Sequence, residues 1–233
     1  MPTGDLFPSV EKRLKAYHEF DFRTKDMLDK PAPLKPTITL SREFGCEAFP
    51  VAEELVRQAE RKTGESWLLV DKSLLDAVAK EHNVSEEIMQ SLGSKPKWFD
   101  DMLATFSANW KSDQDYYRLL CRQVAIIASA GNAVIVGLGA AIIAKSLENC
   151  FHYRLIAEHD FKVRSIARRL KITRQEAEII VLDRQKERDR VIRKLLDADE
   201  HEPLLYHAIF NNAKSKNRQI ARVILEHALA GKS

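Results

Sequence analysis

The stretch LSREFGCEAFPVAEEL (residues 40–55) decides the fold. Its first residues close the apolar, β-branched run TITLS (37–41), and from Pro50 onward its apolar residues recur at helical intervals. Proline is at home in the first turn of a helix, so the segment reads as strand, turn, helix. That junction is where nucleotide-binding proteins hold phosphate, because the N–H groups of the first helical turn and the helix dipole face an anion. A phosphate loop usually adds several glycines, a lysine for the β/γ-phosphates and a hydroxyl for Mg²⁺. The run from Ser41 to Pro50 offers one glycine, Gly45, no lysine, and no hydroxyl after the glycine. On this chemistry alone, a plain strand-to-helix connection outweighs a phosphate cradle.

Four more short apolar runs follow: WLLVD (67–71), AVIVG (133–137), YRLIA (153–157) and HAIFN (207–211). Near-continuous apolar runs suit parallel strands covered on both faces, and their alternation with helical segments implies a doubly wound α/β sheet. PVAEELVRQAERKT, SLLDAVAKEH, SEEIMQSLG and YYRLLCRQVAIIASAG supply helices, the last with Gly131 as its C-cap; DFKVRSIARRL, TRQEAEIIVLDRQKERDRVIRKLL and NRQIARVILEHAL supply the rest. The gap between the second and third strands exceeds an ordinary crossover, so an insertion is expected at about 73–122, and a second, charged one at about 171–203. Residues 1–36 read as an appendage. Val10, Leu14 and Tyr17 recur at helical spacing, and PAPLKP (31–36) is a stiff linker before the main domain, 37–233.

Composition narrows the function. The chain has 233 residues, 30% charged and 45% apolar, the balance of a globular protein with one sizeable core. No apolar run is long enough to span a membrane and MPTGDLFPSVEKRLK has no signal-peptide core, so a cytoplasmic location is expected. Cys46, Cys121 and Cys150 are isolated, and no histidine falls at ligand spacing, so neither disulfides nor a metal site are expected. A net charge of +3 does not point to nucleic acid, but residues 160–194 alone carry about +6, enough to attract nucleotide phosphates.

TLSREFG, WLLVDKSLLDAVAKEHNVSEE, AGNAVIVGLGA, ITRQEAEIIV, ERDRVIRKLL and DEHEPLLYHAIFNN follow one another in an order and spacing that resemble the cytidylate kinase-like family, over roughly residues 37–229. The resemblance implies a P-loop NTPase fold: a three-layer αβα sandwich on a five-stranded parallel sheet, with a helical insertion for the monophosphate and a helical lid. It implies ATP and Mg²⁺ as cofactors and phosphoryl transfer to CMP or a related nucleoside monophosphate. Ser41, Arg42, Gly45, Cys46, Glu47 and Ala48 then hold the donor's phosphates; Asp71, Gly137 and Gly139 lie on the acceptor side; Arg184, Arg188 and Arg193 belong to the lid as catalytic residues, Arg188 the best match; Asn211 and Asn212 approach the base.

Two departures fall on the chemistry. Family loops usually read SREFGSGG where this chain has SREFGCEA, and VGR where it has Val136-Gly137-Leu138, so an arginine expected on the acceptor's phosphate is replaced by Leu138. Ordinary structural roles stand beside each functional one. Asp71 suits the N-cap of the helix after it, Asn211 and Asn212 suit a turn, and the arginines suit a solvated helix face. Three functions therefore compete: an active nucleotide kinase, a nucleotide-binding sensor of the same fold, and, last, a helix-turn-helix DNA-binding protein read from SIARRLKITRQEAEIIV. The last is disfavoured because Glu176 and Glu178 would face DNA phosphates.

Overall fold

The computed structural model describes residues 10, 13–17, 35–81 and 113–231. The helix expected in SEEIMQSLG, and most of the first insertion, lie outside them. Five strands, β1 (Thr37–Arg42), β2 (Leu68–Val70), β3 (Ala133–Val136), β4 (Cys150–Ile156) and β5 (Ala208–Asn211), form one parallel sheet in the order β2-β3-β1-β4-β5. The helices are α1 (Ala48–Thr63), α2 (Lys72–Glu81), α3 (Asp113–Ala130), α4 (Ala140–Ile143), α5 (His159–Leu170), α6 (Arg174–Leu196) and α7 (Asn217–Ala230). The five-stranded parallel α/β sheet expected from the sequence is present, with β4 starting at Cys150, three residues before the apolar run that predicted it. Residues 13–17 are helical, as the spacing of Leu14 and Tyr17 predicts.

Strand alternation sorts the core into two layers. Ile38 and Leu40 of β1, Val134 and Val136 of β3, and Tyr153 and Leu155 of β4 pack under α1 and α7. Leu68, Val70, Ala133 and Ile135 pack on the other face against α2, α3, α4 and the end of α6, where Tyr17 joins them. A third cluster sits beyond the sheet. Val163 and Ile166 of α5 meet Ala177 and Val181 of α6, with Phe44 of the β1–α1 loop packed on them. These two helices turn sharply at Lys171, in the left-handed region at φ 54°, and α6 starts with a capping box between Thr173 and Glu176. The segment that carried the helix-turn-helix reading is thus a hairpin folded onto the β1–α1 loop.

One face of β1 and β4 is polar despite being buried. Thr37 donates to the Ala128 carbonyl at 2.9 Å, Thr39 Oγ1 lies 2.8 Å from His152 Nδ1, and Ser41 is in register with Arg154. Burial, with the nearby His207 ring adding to it, pushes His152 down to about 4, against a smaller opposing pull from the Ala144 carbonyl. A histidine kept neutral in the fold but free to protonate when unfolded stabilises the protein above its ordinary value of 6.5, and that stabilisation is lost as pH falls from about 6.5 to about 4. Stability against thermal unfolding should therefore fall as pH drops across this window, by about 3 kcal/mol in all. His152→Asn should flatten the pH dependence. An unchanged profile would remove His152 as its source.

Candidate functional site

Ligands of open α/β sheets bind beyond the carboxyl ends of the strands, where neighbouring connections leave in opposite directions. Here β1 stands at the centre, flanked by β3 and β4, so its loop, residues 43–47, occupies that crevice. The loop is held from several sides. The Glu43 carboxylate accepts from Lys162 Nζ at 2.8 Å and from the Ala157 N–H at 3.2 Å. The Phe44 N–H donates to Gln185 Oε1 of α6 at 2.7 Å, the Cys46 N–H to the Glu43 carbonyl at 3.2 Å, and the Glu47 N–H to Asn212 Oδ1 at 2.6 Å. Three N–H groups that a phosphate loop would offer an anion are thus bonded within the protein.

Gly45 is required where it stands. Its φ is 98°, and a Cβ there would lie 2.6 Å from Lys162 Cβ and 2.9 Å from Lys162 Cα. Gly45→Ala should destabilise the protein by about 2 kcal/mol or more, from strain plus the clash with α5. Chemical denaturation reads this directly, and a loss below about 0.5 kcal/mol would show that the turn gives way freely. The substituted positions beside it are also defined. Cys46 is buried and its thiol is pushed up to about 12 by desolvation and by the Glu43 carboxylate, so it is a neutral packing group rather than a nucleophile. Glu47 does not cap α1. Its carboxylate pairs with Arg168 and accepts from Asn217 Nδ2 at 2.9 Å, so the charge is drawn sideways onto α5 and α7. Ala48 opens α1 and is buried.

Above the loop, guanidinium groups converge. Arg42, the last residue of β1, runs against Gly137, where a Cβ would fall 2.0 Å from Arg42 Nη1; the positive φ of Gly137, 74°, and the need for a bare backbone coincide. Arg188 reaches in from α6 and stacks over Phe44, with Cζ 4.9 Å from the ring centroid. Its Nη1 is buried and has no hydrogen-bond partner among the described residues. Burial, and next the charge of Arg42, push Arg188 down to about 9, while Arg42 is also lowered by burial. The acid that opposes both is Glu200, and Asp71 also raises Arg42. Two desolvated, mutually repelling cations with an unsatisfied donor form a site that an incoming polyanion would relieve.

Arg154 supports this arrangement from below. It is 2% exposed, in the middle of β4, and donates to the Glu200 carbonyl at 2.7 Å and to the Tyr206 hydroxyl at 3.3 Å; its Nη2 lies 3.2 Å from His201 Nδ1. Tyr206 in turn donates to the Glu200 carbonyl at 2.7 Å and contacts the Ser41 hydroxyl. The acidic loop after α6 is thereby tied to the sheet. Lys162, Gln185, Arg154, Glu200 and Tyr206 were not singled out from the sequence. A single arginine inside an apolar strand was the available signal for one of them, since a buried charge must be paired.

The residues that were singled out divide by position. Arg188 faces the loop, whereas Arg184 pairs with Glu187 and Arg193 lies 3.6 Å from Asp199, both on the solvent side of α6. Asp71 caps α2, accepting from the Leu74 N–H at 3.0 Å. Asn211 accepts from the Ala213 N–H in a turn, and Asn212 reaches Glu47. Leu138 and Gly139 follow Gly137 in the left-handed region, at φ 61° and 68°, and Leu138 packs its side chain against the core.

The family model described as the cytidylate kinase-like family matches residues 37–214. No curated protein matches the chain. Among solved structures, an uncharacterized protein from Eubacterium ventriosum ATCC 27560 is similar at 18% identity with a TM-score of 0.61, over 84% of this chain and 99% of that one. A shikimate kinase from Bacteroides thetaiotaomicron aligns at 12% identity and a TM-score of 0.41, over 84% and 96%.

Proposed function

Because the chain belongs to the cytidylate kinase-like family, we propose that it binds nucleotides and transfers a phosphoryl group from ATP to a nucleoside monophosphate, CMP or a close relative, with turnover reduced by the altered loop. The observation that carries this reading is Arg188, stacked on Phe44 of the β1–α1 loop with a buried, unsatisfied Nη1. Phosphoryl transfer asks a protein mainly for positioning and charge stabilisation, and two desolvated guanidinium groups with a buried unsatisfied Nη1 are suited to that work. Arg42 and Arg188 would hold phosphate oxygens, the first turn of α1 would face the donor's phosphates, and Asn212 would sit on its base side. Mg²⁺ would be held chiefly by the nucleotide's own phosphates, as this ion commonly is, and would offset their charge. Asp71 would stand on the acceptor side, at the carboxyl end of β2, and α6 would serve as the lid. A cytoplasmic location belongs to the same reading.

A second reading, a nucleotide-binding sensor without turnover, is favoured by the loop itself, because Gln185, Asn212 and the Glu43 carbonyl already accept its N–H groups. Calorimetry with ATP·Mg²⁺, followed by a coupled assay across the nucleoside monophosphates, separates the two. Binding with turnover of CMP or a relative supports the kinase, and binding without turnover supports the sensor. No binding at millimolar ATP would overturn both.

A further inference from the structure

Asp71 has a partner that the family match, which starts at residue 37, does not include. Arg13, from the helical residues 13–17, donates through Nη1 to Asp71 Oδ1 at 2.6 Å and through Nη2 to Ser73 Oγ at 3.2 Å. The ion pair is buried, with side chains 9% and 6% exposed, and the guanidinium also lies 5.4 Å from the centroid of the Phe49 ring in the first turn of α1. The segment is anchored one turn further on. Tyr17 is in the core beside α3, its hydroxyl donating to Gln123 Oε1 at 3.1 Å, and Leu14 packs on the same cluster.

Asp71 Oδ1 thus accepts from Arg13 and from the Leu74 N–H at 3.0 Å, and the Ser73 hydroxyl, 2.9 Å from Oδ1 and 2.8 Å from Oδ2, gives its one proton to the same carboxylate. With the Asp71 side chain 6% exposed beneath these donors, a ligand that donates to the carboxylate must displace one of them. The Leu74 N–H belongs to the cap of α2, and Ser73 is on that same helix. Arg13 is the donor delivered by a separate segment, held downstream by Tyr17 and therefore able to swing without the segment leaving. A buried ion pair is a poor net stabiliser, because both charges lose hydration, but withdrawing Arg13 leaves the Asp71 charge uncompensated, so the strap opens only where an incoming ligand donates to Asp71 in its place.

Resting on the kinase reading above, we infer that residues 13–17 form an internal strap across the acceptor side, with Arg13 occupying the Asp71 edge that the amine or hydroxyl donors of a nucleoside monophosphate would take. Acceptor binding then requires Arg13 to withdraw. The strap competes with acceptor, and toward the donor side it reaches only the Phe49 ring. If the docked state dominates about ten to one, freeing Asp71 should tighten acceptor binding about tenfold.

The experiment is calorimetry with CMP on the unsubstituted chain and on Arg13→Gln, with ATP·Mg²⁺ run in parallel, together with amide exchange of residues 13–17 with and without CMP. The strap is supported if Arg13→Gln binds CMP about tenfold more tightly and CMP speeds exchange at residues 13–17 of the unsubstituted chain. It is overturned if the substitution weakens CMP binding or leaves it unchanged, if CMP binds neither chain, or if CMP slows that exchange. Exchange needs no variant, so it decides the matter even where Arg13→Gln folds poorly. ATP binding tests the kinase reading by itself: ATP bound without any effect of CMP on the strap sinks the strap alone, and loss of ATP binding by both chains sinks the reading beneath it.

Discussion

Arg154→Ala is expected to destabilise the protein by about 3–5 kcal/mol, the usual cost of removing one member of a buried charged network. Three groups would lose a partner at once: the Glu200 carbonyl, the Tyr206 hydroxyl and the His201 ring. The Glu200 carboxylate, 3.8 Å from Arg154 and nearly buried, would keep its charge while losing its closest cation, and a cavity would open in the middle of β4. For a chain of this length the loss corresponds to a fall in Tm of about 10 °C. Arg154→Lys should recover little, because an ammonium cannot reach acceptors on two sides as a planar guanidinium does. Thermal denaturation checks both, and a fall below about 2 °C for the alanine variant would show that the acidic loop is held by other means.

Arg188→Ala is expected to act in two opposite directions. Under the kinase reading, turnover should fall about 10³-fold, the low end of what an arginine at a transferring phosphoryl group supplies. Folding stability, by contrast, should hold or rise, because the substitution removes a desolvated cation that repels Arg42 and carries an unsatisfied Nη1. What it forfeits is the stacking on Phe44, about 1 kcal/mol. A residue kept for structure would lose stability and leave turnover alone. The assay and a denaturation curve on the same preparation therefore discriminate, and a stability loss above about 2 kcal/mol with unchanged turnover would remove Arg188 from the site.

The legible part of this protein was periodic. The five apolar runs marked the five strands because parallel strands covered on both faces have no polar side to show, and Pro50 marked the first turn of α1. The site was legible in place but not in content. The crevice after β1 follows from fold class alone, and the resemblance to the cytidylate kinase-like family named three lid arginines, Arg188 the best match, which residue spacing by itself does not separate. Helical phase against α5 separated them: Arg188 faces Phe44, while Arg184 and Arg193 face water. Glu47 posed a similar ambiguity, and its direction was set by Arg168 and Asn217, distant in the chain.

By itself, then, the sequence determined the α/β class, the number and nature of the strands and the position of the β1–α1 turn, because all three are written in local spacing. Tertiary structure alone decided which charges are paired. That Arg13 would close on Asp71, Arg154 on the acidic loop, and Gln185 on the Phe44 N–H depends on contacts spanning 46 to 141 residues. No local pattern encodes such contacts, since the energy of a charge is set by what surrounds it once water has been expelled.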